Sequence, residues 1–311
     1  MNKNLPALSF LLLLILLAAC RTSEIDHEIP FEGKKLVLAS VLNANQPFTI
    51  TVNQTFAPTG NIPKSTAVGN ALVILKENNI TVDTLRHEAN GKYVSLKKYL
   101  PKALSKYSFE VSAEGFSDVK SEPFTMPSNT ISFKYDTIHS FEPALSYKAG
   151  NDLFKISINT QNDSDEYYAI FFELGSQNYQ FIEFFDESKS SDCYFTNYNN
   201  LLNSTKNTVW VFKNSCIQNK DLNIRFLVPQ AETQYGNTII FKPWNKPKLH
   251  IIKINKILGE YLSKQKQPEG SGLIFQAPHK TFSNINNGYG IVSGVTEKIV
   301  ELEILCDYCT K

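Results

Sequence analysis

Short strand-like runs, broken at close intervals by Asn, Gly and Pro, constrain this chain more than any other feature. Phe48-Thr49-Ile50-Thr51-Val52 alternates apolar and polar side chains, as a strand with one buried face must. Leu36 to Leu42 and Ala71 to Leu75 are apolar runs of strand length. Lys92 to Leu96 follows Asn90-Gly91, a dipeptide suited to tight hairpins because their central residues need positive φ. Tyr107 to Ala113 alternates again and stops before Gly115. Asn43 to Pro47, Asn78-Asn79 and Pro101 mark turns between the runs. Strands at this spacing predict a β-sandwich over 31–127.

Met126-Pro127-Ser128-Asn129 marks a domain boundary, and 128–311 reads as a second β-rich domain. Its strand candidates are Leu153 to Ile158, Tyr167 to Leu174, Tyr179 to Phe185, Leu222 to Val228 and Pro247 to Ile254. One short helix is expected after Asn255, a good N-cap, with Ile257, Leu258, Tyr261 and Leu262 forming an apolar stripe. Gly259 lowers its helix propensity by about 1 kcal/mol relative to Ala. Asn-Gly-Lys-Tyr followed by Tyr-Ser-Phe-Glu-Val resembles prealbumin-like and carboxypeptidase-regulatory-like sandwich modules, which implies an immunoglobulin-like or prealbumin-like sandwich. The fold class is therefore mainly β: such a sandwich, then a second strand-rich domain with one short helix.

The N-terminus carries a different signal. Lys3 precedes Leu8 to Leu17, an apolar stretch too short to span a bilayer core of about 30 Å. It has the length of a signal-peptide core and is followed by Leu17-Ala18-Ala19-Cys20. That tetrapeptide resembles the lipobox of bacterial lipoproteins. The resemblance implies a cleaved signal over 1–19 and covalent lipid on Cys20, with no other cofactor. Residues 20–30, polar and holding Glu24, Asp26 and Glu28, suit a flexible leash. Several acyl chains anchor a protein stably where one does so only marginally. The expected location is the outer membrane, on its periplasmic or cell-surface face.

Removing Lys3 with the leader leaves 30 basic against 30 acidic residues, so no basic field exists to attract nucleic acid. Cys193, Cys216, Cys306 and Cys309 remain after Cys20, an even count that fits disulfides outside the cytoplasm. The expected pairs are Cys193–Cys216 and Cys306–Cys309. A redox or metal role for the terminal Cys-x-x-Cys is the alternative. It lacks a following helix to lower a thiol pKa and a second ligand pair for zinc.

The search for catalytic patterns turns up no His-Glu-x-x-His, no Gly-x-Ser-x-Gly and no phosphate-binding glycine loop. Asp163-Ser164-Asp165-Glu166 reads as a solvated turn rather than a cation loop, and Glu183, Asp186 and Glu187 as charged strand ends rather than a carboxylate pair. The chain is expected not to be an enzyme and to hold no metal. Aromatic residues crowd Tyr167 to Tyr198. Adjacent aromatics on a strand place one ring on each face, so core packing is one reading. An interface or ligand platform is the other, with Tyr179, Phe181, Tyr194 and Tyr198 as candidates.

Three segments carry a resemblance to a family. They are Phe31 to Leu38, Asn70 to Leu75 with its Asn-Gly-Lys-Tyr sequel, and Glu260 to Lys264 followed by Ser283-Asn284-Ile285-Asn286-Asn287-Gly288-Tyr289-Gly290. With them the chain resembles a family of Bacteroidota lipoproteins known as domain of unknown function 4249. The resemblance implies an outer-membrane accessory protein that partners a TonB-dependent β-barrel transporter. A free-standing surface binder of glycan, peptide or metal complex is the alternative.

Overall fold

The computed structural model describes residues 31–57, 60–138, 151–159, 166–173, 183–184, 194–197, 209–214, 221–229, 231–234, 237–240, 248–264 and 282–302. Among the described residues, all helices and strands fall in one compact unit, Lys34–Thr55 with Lys64–Lys311. The other unit, Met1–Gly33 with Phe56–Pro63, has no helix or strand among its described residues. The chain is mainly β, as expected from its strand patterns.

The N-terminal sandwich is built from β1 (Leu36–Asn43), β2 (Thr49–Gln54), β3 (Leu72–Glu77), β4 (Ile80–Ala89), β5 (Lys92–Val94), β6 (Lys106–Ser112), β7 (Val119–Ser121) and β8 (Phe124–Thr125). Its two tight hairpins lie where the turn residues placed them. Asn78 and Asn79 have φ of 50° and 67°, and Asn90 and Gly91 have φ of 50° and 73°. Strand β4 is the element the sequence did not reveal. Most of its side chains are polar, and it joins two sheets at once. Its first half pairs with β3 as far as Leu85 and its second with β5 from Arg86, with a register shift within each pairing. Leu36, Leu38, Phe48, Ile50 and Val52 meet Val73, Leu75, Tyr107, Phe109 and Val111 in one buried core.

The remaining elements are β9 (Ser132–Ile138), β10 (Asn151–Asn159), β11 (Tyr167–Glu173), β12 (Glu183–Phe184), β13 (Tyr194–Asn197), β14 (Val209–Lys213), β15 (Asp221–Pro229), β16 (Ala231–Gln234), β17 (Asn237–Ile240), β18 (Lys248–Ile254), α1 (Lys256–Lys264), β19 (Ile285–Asn286) and β20 (Tyr289–Glu301). Strand β20 ties them to the sandwich. Its first half pairs in parallel with β1, from Val37↔Tyr289 to Asn43↔Val295. Its second half pairs with β18, from Ile254↔Val295 to Lys248↔Glu301. One hydrogen-bonded path therefore runs β13-β14-β11-β18-β20-β1-β2-β5-β4-β3-β6-β7-β19. The expected boundary at 127/128 falls between β8 and β9, yet the backbone pairing crosses it through β20.

Strand β11 accounts for the first four aromatics of that run, Tyr167, Tyr168, Phe171 and Phe172. Tyr168, Ile170 and Phe172 pack with Phe154, Ile156 and Ile158 of β10, which belongs to the separate sheet β12-β15-β10-β9. Tyr167, Ala169 and Phe171 face the opposite way, toward Leu258 and Leu262 of α1. A strand covered on both faces has no polar face, so alternation is absent from its sequence. Asn255 caps α1 as expected, its Oδ1 accepting from the Leu258 N–H at 3.1 Å. Gly259 is required there because a Cβ would lie 2.1 Å from the Tyr167 ring.

The segment from Ser283 to Gly290 is a structural latch. The Asn284 side chain behaves like a strand partner, donating from Nδ2 to Val292 O at 2.8 Å and accepting from Val292 N–H at 2.9 Å. Gly290 has φ of 115°, and a Cβ on it would lie 1.9 Å from Leu38 O. Only glycine lets β20 reach β1 here.

Candidate functional site

The connection between β5 and β6 presents apolar side chains to solvent while its backbone is held from beneath. Its sequence, Ser95-Leu96-Lys97-Lys98-Tyr99-Leu100-Pro101-Lys102-Ala103-Leu104-Ser105-Lys106, has four lysines and no acid. Ser95 N–H donates to Phe48 O at 2.9 Å, and Phe48 N–H donates to Tyr99 O at 3.3 Å. The Ser95 hydroxyl donates to buried Asp83 and accepts from Tyr99 N–H at 3.1 Å. Leu104 N–H and Met126 N–H complete reciprocal bonds to Met126 O and Ser105 O at 3.1 and 3.0 Å.

Glu77, buried at the end of β3, is the hub beneath this loop. It accepts from the Tyr99 hydroxyl, from Tyr107 at 3.1 Å and from Lys102 Nζ at 3.2 Å. Burial pushes its carboxyl up, but hydrogen bonds from Tyr99, Ser105, Lys102 and Tyr107 together outweigh that and bring it down to about 2. Burial pushes the Tyr107 hydroxyl up to about 12, so it stays a donor to Glu77. Tyr107 also accepts from Lys102 N–H at 3.0 Å.

Such bracing lets the loop hold unusual backbone. Lys98 and Leu104 have φ of 51° and 62°, a region that L side chains rarely enter. Each costs of order 1 kcal/mol, which the surrounding bonds must offset. Leu96, Leu100 and Leu104 point outward, as does Ile80 at the start of β4, with exposures between 49% and 68%. Lys97, Lys98, Lys102 and Lys106 are exposed among them.

A second polar cluster joins four strands. His250 on β18 is buried, with Nδ1 2.7 Å from Glu297 on β20 and Nε2 3.2 Å from Glu173 on β11. Phe171 stacks on its ring at 4.2 Å between centroids. Asn43 at the end of β1 donates to Glu297 at 2.9 Å. The hydrogen bond from His250 holds the Glu297 carboxyl below the usual carboxylate range, against the opposing effect of burial. Both imidazole nitrogens meet carboxylates, so this arrangement clasps strands together. Lys253, three residues on, is buried against Glu166 at 2.8 Å and donates to Ser128 Oγ at 2.7 Å. Glu166 is thus the half-buried partner of a buried lysine, while Asp163 to Asp165, read as a turn with it, lie outside the described residues.

Cys20, Cys193, Cys216, Cys306, Cys309, Tyr179, Phe181 and Tyr198 lie outside the described residues, as do Asp186 and Glu187. Tyr194 falls on β13, paired opposite Phe212 of β14, and Glu183 on β12, opposite Leu227 of β15. The loop and the His250 clasp were both missed by sequence reasoning. Each had a signal: a basic run with regularly spaced leucines, and a His and a Lys inside an otherwise apolar two-faced strand. Among the described residues, no group of three or more His, Cys, Asp or Glu could hold a metal ion. No described helix is long and apolar enough to cross a membrane.

A search of characterised proteins finds no match. Among solved structures, the chain is similar at 9% identity and a TM-score of 0.21 to "Biofilm associated protein - BSP domain". That alignment covers 86% of this chain and 59% of the other, so it spans less than two thirds of that chain's length. A TM-score this low carries no argument about fold or function. A family model matches residues 22–299, nearly the whole chain, and the protein belongs to the family described as Domain of unknown function (DUF4249).

Proposed function

We propose that this protein is a lipid-anchored, non-enzymatic accessory protein of the outer membrane, which works by contact with a TonB-dependent β-barrel transporter or a surface assembly. The observation that supports this reading is the leader ending at Cys20, which brings the body to a membrane, and the braced loop over 95–106 is a surface the body can present there. Exposed leucines on a backbone fixed by buried hydrogen bonds make a preorganised contact surface, since little conformational freedom remains to be lost on binding. The leader ending at Cys20 supplies the anchor, and an exported body tethered by lipid suits capture or scaffolding at a membrane.

Crosslinking in the native cell, followed by purification of a C-terminally tagged chain from the outer membrane, tests the reading. Stoichiometric recovery of a TonB-dependent barrel is the expected result. Recovery of the tagged chain alone, with saturable ligand binding by the soluble body, would replace it with a free-standing binder. Absence of lipid on Cys20 in mass spectra of the purified protein would remove the anchoring part.

A further inference from the structure

We infer that the loop over 95–106, together with Ile80, docks against an anionic lipid surface. Three observations on this surface point to lipid rather than protein. Its exposed apolar side chains, Leu96, Leu100, Leu104 and Ile80, are all aliphatic. Its charges are all lysines: Lys97, Lys98 and Lys106 are exposed, and Lys102, exposed along its stem, has its ammonium paired with Glu77 beneath the loop. The two acids in contact with the loop, Glu77 and Asp83, are buried and hydrogen-bonded beneath it. Protein interfaces favour aromatic residues, Met and Arg and are poor in Lys, and leucine is under-represented among their hot spots. Aliphatic side chains ringed by lysines are instead the signature of a surface that enters the headgroup layer of a membrane, where lysine stems lie along apolar matter and their ammonium groups meet anionic headgroups.

The brace gives this surface its geometry. Tyr99 and Pro101 turn inward: the Tyr99 ring packs 5.8 Å from Phe48 and its hydroxyl bonds Glu77, while Pro101 is buried. Leu96, Leu100 and Leu104 alternate with these inward residues and are left outside. The loop sits at the Asn43 end of β1, since Val94 pairs with Thr49 whereas Leu36 pairs with Gln54. A chain of 15 residues from Cys20 to Lys35 reaches at most ~50 Å, and β1 with its 8 residues spans ~27 Å. A lipid on Cys20 therefore does not prevent this end of the sandwich from touching the same bilayer. The inference goes beyond the accessory reading and does not depend on the identity of a partner.

The test uses the chain from residue 20 onward with Cys20→Ser, which keeps every described strand and takes no lipid. It is floated with vesicles of phosphatidylcholine alone and of phosphatidylcholine mixed with phosphatidylglycerol. The expected result is binding to the mixed vesicles only, weakened by added salt as screening shortens the reach of the lysines. Lys97→Glu with Lys98→Glu should weaken binding at least about tenfold. Leu100→Ser with Leu104→Asn should do the same, and Leu72→Ser, which removes an exposed leucine on β3, should leave binding unchanged. Circular dichroism melts matched to the parent show that each variant is folded; where the glutamates unfold the loop, Lys97→Gln with Lys98→Gln takes their place. No binding of the parent chain to the mixed vesicles overturns the inference. So does binding indifferent to the loop substitutions, or weakened equally by Leu72→Ser. Loop variants that lose a barrel partner in cells, while the parent ignores lipid, assign the surface to protein instead. Failure to recover any barrel from cells overturns the accessory reading and leaves this inference standing.

Discussion

The Lys253 ammonium lies 2.8 Å from the Glu166 carboxylate with only 1% of its side chain exposed. The pair joins β18 to the start of β11, and the bond from Lys253 to Ser128 adds the segment that follows β8. Breaking one side of a buried ion pair strands a charge, whereas replacing both partners by apolar side chains does not. Glu166→Gln should therefore lower stability by about 3–5 kcal/mol, and Glu166→Leu combined with Lys253→Met should be close to neutral. Urea unfolding midpoints of the two variants check the order; equal losses would show that the pair does not behave as a desolvated one.

Glu77 makes the sandwich acid-sensitive. Its carboxyl is held at about 2, below the ordinary 4.5, so it binds a proton less readily in the folded chain than in the unfolded one. The stability it contributes is present above pH 4.5 and is lost as pH falls from there toward about 2. Glu77→Gln should cost about 2 kcal/mol at neutral pH, as loss of hydrogen bonds to a charged acceptor does. The variant should also show a shallower stability loss than the parent across that acid range, read from denaturation midpoints against pH.

Glu297 behaves in the same direction at the clasp. Its carboxyl is held below 4.5 chiefly by His250, so its contribution is lost as pH falls below that value. Glu297→Gln leaves His250 Nδ1 and Asn43 without their charged acceptor and should cost about 1.5–3 kcal/mol. Hydrogen exchange along β18 and β20 should rise in this variant while exchange in β6 stays unchanged. Equal acceleration in both places would show that the clasp has no local effect.

Gly290→Ala should prevent β20 from pairing with β1. The added Cβ would fall 1.9 Å from Leu38 O, and neither backbone has room to withdraw. Gly115→Ala is the control: its φ of 81° also disfavours a side chain, but nothing lies within 4 Å. The control should cost about 1 kcal/mol. The Gly290 variant should be insoluble or unfolded by circular dichroism.

The sequence by itself determined the local structure. Period-two runs marked β2, β6 and β10 and an apolar run marked β1, each end within two residues, and Asn78-Asn79 and Asn90-Gly91 specified hairpins because their backbone conformation excludes most other residues. Asn255 specified the start of α1 for the same kind of local reason. What tertiary structure decided was which distant segments share a sheet. Strand β4 bends between two sheets, and its polar pattern reflects exposure on a bulged strand rather than any run of core residues. Strand β20 lies beside β1 across more than two hundred residues of sequence, a pairing set by Gly290 and Asn284 that leaves no periodic mark. The site was illegible for the same reason. Glu77, Tyr99, Lys102 and Tyr107 look like ordinary strand-end and loop residues until packing brings them together, and only burial turns one carboxylate with several donors into the support of an exposed loop.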